Sequence, residues 1–333
     1  MDSRKLVLDT LAGAKGLPVP WIEIETRDEL IAATLGVDTV DWPERVRYAK
    51  LVGQDAVGFA HWQRFGCKTT VKGQVMGFEA LIDDWDDLPT KFSMPDEIDE
   101  EALIENVRRA HEAIGDSGLA LFVAHVFCLD PAVMDLGFEN FCYKLYDDPK
   151  LIEWLFEKYV DYYGKLDRLY SKLPEIDFIW IGEDIAFNSG TYVAPDVFRE
   201  FVLPYFRKMA ANIAKPWVYH SDGNILHVLD DLLTLGMSAV HPLQPGAMDI
   251  RAVKQSHGDK ATLIGCVDLN TLTLGSEEDV ENEVAALMDD CSSGGRYILS
   301  SSNSLACYLK PENVIAMGRA KRAWNKNHGF GFF

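Results

Sequence analysis

Residues 262–284 read TLIGCVDLNTLTLGSEEDVENEV. The stretch opens on an apolar run, 262–266, with no polar alternation, as expected of a strand covered on both faces. A single acid, Asp268, stands just past the strand end. It either caps the helix that follows or orients a residue of a neighbouring strand end, His220. Ser276 then precedes EEDVENEVAALMDD, whose first-turn acids favour the helix dipole. A buried strand, a polar strand end and a capped helix together make the repeating unit of a parallel α/β fold.

The same unit recurs outward in both directions. Runs rich in Val, Ile and aromatics at 56–60, 119–126, 178–181, 217–219, 239–241 and 297–299 predict further strands. Asp99 precedes the helical pattern EEALIENVRRAHEAIG, and Lys310-Pro311-Glu312 opens the last helix with Pro at a first-turn position. Pro204 should kink or break the segment 196–213. No Gly-rich dinucleotide turn, linker or repeat divides the chain. The expectation is one α/β domain over 1–333, a TIM-like (β/α)8 barrel. Residues 1–50 read as an N-terminal helical extension, and 79–101, EALIDDWDDLPTKFSMPDEIDEE, as an acidic solvated excursion without calcium-loop spacing.

Composition narrows the function. The 333 residues carry 52 Asp+Glu against 32 Lys+Arg, a formal net charge of −20. That field repels nucleic acid and anionic membrane surfaces, which need a positive footprint. A local Arg pocket can still hold a small anion. No signal peptide or membrane span is expected. The six cysteines are scattered without a CxxC, which suits reduced thiols and a cytoplasmic location.

In a barrel the polar strand ends gather at the C-terminal rim, where such enzymes do their chemistry. Glu183 and Asp184 follow FIWI. Adjacent acids point to different sides, so one of them faces the mouth. In WVYHSDGN (217–224), His220 and Asp222 alternate across Ser221 and can share a side. The pair could bind a metal, or move a proton with Asp orienting His. Gly223 permits a sharp turn, and a helix cap is the plainer role for Asp222. His241 ends another strand. ILSSSNS (298–304) supplies neutral donors but no nucleophile elbow. His61, Trp62 and Arg64 follow the strand 56–60, and His125 follows LALFVA. An Arg among aromatics at a rim suits a ring-bearing or anionic substrate, and core packing is the plainer role for His125 and Trp62.

Taken together, FREFVLPYFRKM (198–209), the 262–284 unit, and GGRYILSSSNS (294–304) followed by KPENVIAM (310–317) resemble the uroporphyrinogen decarboxylase superfamily. The resemblance implies a TIM-like barrel with its active site in the C-terminal mouth. It implies one of two chemistries. Tetrapyrrole decarboxylases carry an N-terminal RQAGRY-type segment, an acid just after the first strand and a His in the last strand-end loop. Here the Arg segment is missing, and Trp62 and Asn303 stand in the other two places. A polycarboxylate ring also suits a −20 protein poorly. Corrinoid-dependent methyltransferases of the superfamily bind zinc through His-x-Cys and a later Cys. Here those read His220-Ser221-Asp222 and Asn303, so any zinc site has hard O/N ligands: Glu183 or Asp184, His220 and Asp222.

That pattern looks like the substrate-side methyltransferases of anaerobic O-demethylation. They pass a methyl group from a methoxylated aromatic to the Co(I) of a separate corrinoid protein. The resemblance implies a ring lying against Trp62, Phe187 or Tyr192, with His220, Asp184 and Asp222 catalytic. Without a metal, a protonated His220 or Asp184 serves as general acid. The Asp-x-His-x-x-Gly cobalamin motif is absent, so a partner brings the corrinoid. A homodimer is expected by analogy. The competing readings are a decarboxylase of a tetrapyrrole or smaller acid and a non-catalytic ligand-binding barrel.

Overall fold

Seven strands predicted from the apolar runs form one parallel sheet in a computed structural model that describes residues 2–72 and 75–331. In chain order the strands are β1 (Ala56–Ala60), β2 (Cys67–Lys72), β3 (Val75–Ala80), β4 (Ala120–His125), β5 (Phe178–Gly182), β6 (Ala186–Phe187), β7 (Gly190–Thr191), β8 (Trp217–His220), β9 (Ala239–His241), β10 (Thr262–Ile264) and β11 (Tyr297–Ile298). The large sheet runs β1-β4-β5-β8-β9-β10-β11, with helices between most successive strands. The pairs β2–β3 and β6–β7 are antiparallel hairpins raised on the rim. The longer hairpin was not foreseen in the sequence.

The sheet closes through a segment expected to be part of a helical extension. Residues 20–24 run parallel to the end of β11. Leu299 N–H donates to Pro20 O (2.9 Å) and Ile22 N–H to Leu299 O (3.2 Å), while Asp55 N–H donates to Trp21 O (2.7 Å). The stretch 1–50 therefore holds three helices, Ser3–Leu11, Asp28–Leu35 and Trp42–Val52, and also the first stave of an eight-stave barrel. The strand at 56–60 is the second stave.

One parity of the strands fills the barrel. Ile22, Ile24, Ala56, Ala120, Phe122, Ala124, Phe178, Trp180, Val218, Ala239, Ile264 and Ile298 form a single inner cluster. Its tight interior alternates Ala with a few large rings, and side chains of the other parity pack against the helices. Val7 and Leu11, from a helix capped by Asp2, join this cluster at the end opposite the mouth. Asp55 bolts the first stave down. It accepts from Trp21 N (2.8 Å) and Ser3 Oγ (2.6 Å) and pairs with buried Lys321 at 2.5 Å.

Local signals behave as read. Asp99 accepts from Ala102 N, and Ser276 forms a capping box with Asp279. Pro204 sits where a π-helical turn, Phe198–Val202, gives way to the α-helix Leu203–Ala210. The excursion 79–101 takes in the end of β3, the turn Trp85–Asp87 and the short helix Leu88–Lys91, and its acids are mostly exposed. All six cysteines are free. Among the described residues, no helix is long and apolar enough to cross a membrane.

Asp135 ties the rim to the helix layer by accepting from Gly66 N (2.9 Å) and Tyr159 Oη (2.7 Å). Burial pushes its carboxyl up to about 7. The folded state thus holds a proton that the unfolded chain releases near pH 4. The resulting stability is present below that pH and is lost as pH rises towards 7. In Asp135→Asn, urea midpoints should fall less between pH 4 and 7 than in the wild type. An unchanged pH slope would show that Asp135 ionises at its ordinary value.

Candidate active site in the barrel mouth

Two strand ends build the site. At the end of β5, Glu183 N–H still donates to His220 O (2.9 Å), and the chain then splits its two acids. Glu183 turns into the protein. It is wholly buried and accepts from the backbone N–H groups of Phe127 (2.8 Å), Leu129 (2.7 Å) and Asp130 (3.0 Å). Its oxygens are spent holding the start of the helix Leu129–Leu136, so its expected place among metal ligands is corrected. Asp184 takes the mouth side.

At the end of β8 the alternation holds. Ser221 faces away, donating to Asp222 O and accepting from Ile185 N–H, while His220 and Asp222 face the same space. His220 Nε2 lies 3.6 Å from Asp184 Oδ1 and 3.8 Å from Asp222 Oδ1. Asp184 accepts from Asp222 N (2.9 Å), and Asn303 Nδ2 donates to Asp222 Oδ2 (2.6 Å). Asp222 Oδ1 is buried with no hydrogen-bond partner. Gly223, at φ +80°, turns the chain beneath the β6–β7 hairpin, where a Cβ would sit 2.4 Å from Ala186 O.

One ligand atom from each of Asp184, His220 and Asp222 falls within 4.8 Å of the others. The cluster opens on a cavity of about 360 Å³ that Trp62, Arg64, Phe78 and Asn303 also line. Gly182 makes room for the indole, since a Cβ there would meet the Trp62 ring at 2.8 Å. Arg64 pairs with Asp130 (2.6 Å) and lies 4.6 Å over the Phe78 ring, with its Nε buried and unpartnered. Desolvation pushes Asp184 above the ordinary carboxyl range, offset in part by His220 and reinforced by Asp222. Burial likewise raises Asp130 against the pull of Arg64.

Beneath His220 lies His241, fully buried, its Nδ1 2.7 Å from His220 Nδ1. Burial, and then the neighbouring His220, push its imidazole well below its ordinary value, so it is neutral. It is therefore not a substrate contact but the floor of the site, packed edge-on against Trp180.

The uroporphyrinogen decarboxylase family model matches residues 63–324. The chain belongs to the uroporphyrinogen decarboxylase family. Among solved structures, a methyltransferase from Methanosarcina mazei shares 18% identity at a TM-score of 0.80, covering 97% of this chain and 99% of that one. A B12-independent methionine synthase from a Shewanella species, in complex with selenomethionine, shares 12% identity at a TM-score of 0.57, covering 95% and 97%. Both establish the barrel fold. No curated protein matches the sequence at a significant level.

In this family member the mouth gathers Trp62, Arg64, Asp184, His220, Asp222 and Asn303. Phe187 and Tyr192 meet Phe138 edge-on at the rim and tilt against each other. Besides His241, two further expected substrate contacts lie elsewhere. His125 has the outward parity of β4 and is buried against Asp167 (2.9 Å), Val126 O and the Tyr163 ring. His61, one residue past inward Ala60, meets Tyr162 Oη at 2.9 Å, and burial lowers it to about 4. Asp268 is settled as a cap, accepting from Asn270 N. Cys67 reaches the cavity edge, burial pushing its thiol up to about 12, and it is not among the clustered ligand atoms.

Glu23 escaped the sequence reading. It accepts from Trp21 Nε1 (2.6 Å), Ser301 N (2.9 Å), Ser301 Oγ (2.6 Å) and Ser300 Oγ (3.1 Å), and burial still pushes it up to about 7. Its signal was the alternation of PWIEIE at 20–25, which marks a strand.

Proposed function

We propose that the protein transfers a methyl group from a methoxylated aromatic compound to the Co(I) corrinoid of a separate protein. The observation that carries this reading is the Asp184–His220–Asp222 cluster facing a cavity walled by Trp62 and Phe78. The cluster offers one imidazole nitrogen and two carboxylates, a donor set that suits zinc, and the orphaned Asp222 Oδ1 is a buried acceptor in want of a cation. Zinc held by these three residues would supply Lewis-acid pull on the ether oxygen.

The chain's own groups do the rest. Trp62 and Phe78 hold the ring, and Arg64, on the cavity wall, faces an anionic ring substituent. With no metal bound, Asp184, which desolvation holds above the ordinary carboxyl range, delivers the proton to the departing phenolate instead. The electron pair of Co(I) forms the Co–C bond, the C–O pair stays on oxygen, and methylcobalt(III) and a phenol leave. Among the described lining residues Arg64 is the one guanidinium, and Asp130 already holds it, which disfavours a polycarboxylate tetrapyrrole.

The test is anaerobic incubation with reduced corrinoid protein and a panel of methoxybenzoates and methoxyphenols, with metal content measured alongside. Methylcobalamin and free phenol are the expected products. Carbon dioxide release without corrinoid would establish a decarboxylase instead. Tight ligand binding without turnover would establish a binding barrel.

A further inference from the structure

The barrel is split beside its mouth. Past its own end the first stave stays with the last one, Arg27 N–H donating to Leu305 O (2.9 Å) and Leu305 N–H to Glu25 O (3.0 Å). β1 instead follows β4 over its whole length. The two neighbours therefore part above Asp55, and among the described residues no backbone hydrogen bond joins 22–27 to 56–60. Ala56, Gly58 and Ala60 are too small to fill the gap, and a second cavity of about 360 Å³ lies there, with Ile24, Phe59 and Phe122 also in its wall. Ile24, Glu25 and Trp62 line both this chamber and the reaction cavity. The charges around the chamber are already matched. Arg27 pairs with Glu25 (3.0 Å), Arg45 pairs with Asp28, and Glu23 accepts from Trp21, Ser300 and Ser301. With Glu29, the lining acids outnumber the two arginines, which disfavours a carboxylate. Tyr48 stands in the wall with its hydroxyl buried and without a hydrogen-bond partner, and a buried polar group in that state wants one.

We propose that this chamber is a second lobe of the substrate site, taking a short uncharged chain carried on the ring opposite the methoxy group, with a hydroxyl at the chain's end bonded to Tyr48 Oη. This rests on the methoxyarene reading of the mouth. The Asp184–His220–Asp222 cluster comes from the ends of β5 and β8, whereas the chamber lies between the first stave and β1. A ring seated between them on Trp62 sends its para substituent away from the cluster and towards the chamber. The apolar wall favours the chain, the acidic excess rejects an anionic one, and Tyr48 favours a hydroxyl over a plain methyl end. An anionic substituent is left to the Arg64 side of the mouth.

The experiment is calorimetric binding of anisole and of its para-propyl, para-hydroxypropyl and para-carboxyethyl derivatives, without corrinoid protein, so that no turnover intervenes. In the wild type the propyl compound should bind roughly tenfold tighter than anisole, from burial of its methylenes. The hydroxypropyl compound should bind about 2- to 10-fold tighter again, the net worth of one hydrogen bond, and the carboxyethyl compound more weakly than the propyl one. Tyr48→Phe should remove the gain from the hydroxyl alone. Ala60→Leu, which fills the chamber from a residue outside the reaction cavity, should remove the gain from the chain and leave anisole within about twofold of wild type. No gain from the propyl group, a gain that survives Ala60→Leu, or a hydroxyl gain that survives Tyr48→Phe would overturn the proposal. The wild-type series and Tyr48→Phe decide even where Ala60→Leu fails to fold. Anisole that binds without any gain from a chain sinks the second lobe alone, whereas no binding of any of the four compounds sinks the methoxyarene reading as well.

Discussion

Replacing His220 by alanine is expected to lower turnover by roughly 10³-fold or more, the range over which removal of a positioned acid–base group or metal ligand acts. His220 supplies the one nitrogen of the cluster and sits between its two carboxylates. Without it Asp184 and Asp222 face each other with nothing to hold a cation or orient a proton. The fold should survive, because His220 ends a strand and its ring is shared only with His241 and the cavity. The cost is the orphaned His241 Nδ1, about 1–3 kcal/mol for a buried group left without its partner. Initial rates with a methoxyarene and reduced corrinoid protein, beside urea melts, separate the two effects. Turnover within tenfold of wild type would move the chemistry away from this cluster.

The largest stability effect is expected far from the mouth. In Lys321→Met the side chain keeps its bulk and loses its charge, leaving Asp55 buried without its cation. Breaking such a pair from one side costs about 3–5 kcal/mol. The cost is concentrated here because Asp55 also receives Trp21 N–H and Ser3 Oγ–H, so the first stave, the N-terminal helix and the helix Pro311–Asn327 meet on one carboxylate. Urea denaturation should show the midpoint falling with little change in the slope. A loss below about 1 kcal/mol would mean that water reaches Asp55 and the pair is worth no more than a surface one.

Seven staves were legible because each is an apolar run between turn signals, buried on both faces. The first was not, because residues 20–24 begin on a proline and interleave Glu23 with Trp21 and Ile22. The side-chain direction of His61 and His125 was also missed, although a cue existed. Ala56, Gly58 and Ala60 are small at every second position, and Ala120 and Ala124 share the inward parity with Phe122, while both histidines fall on the other parity. The alternation of His220 and Asp222 survived into the structure because nothing interrupts the extended chain between them. Glu183 and Asp184 could not be told apart from sequence. The N–H groups that claim Glu183 lie on a loop more than fifty residues earlier.

Closure by the first stave also sets the order of events on the ribosome. Glu23 and Ser301, bonded in the finished barrel, are 278 residues apart. At about 5–20 residues per second, roughly 15–60 s of translation separate them. Through that interval Pro20 O and Ile22 N–H, whose partner is Leu299, form the unpaired margin of an open sheet with its apolar concave face uncovered. Such a margin is what edge-to-edge association captures. Slowing synthesis late in the message is therefore expected to lengthen the exposure of this margin and to raise the yield of aggregated chain.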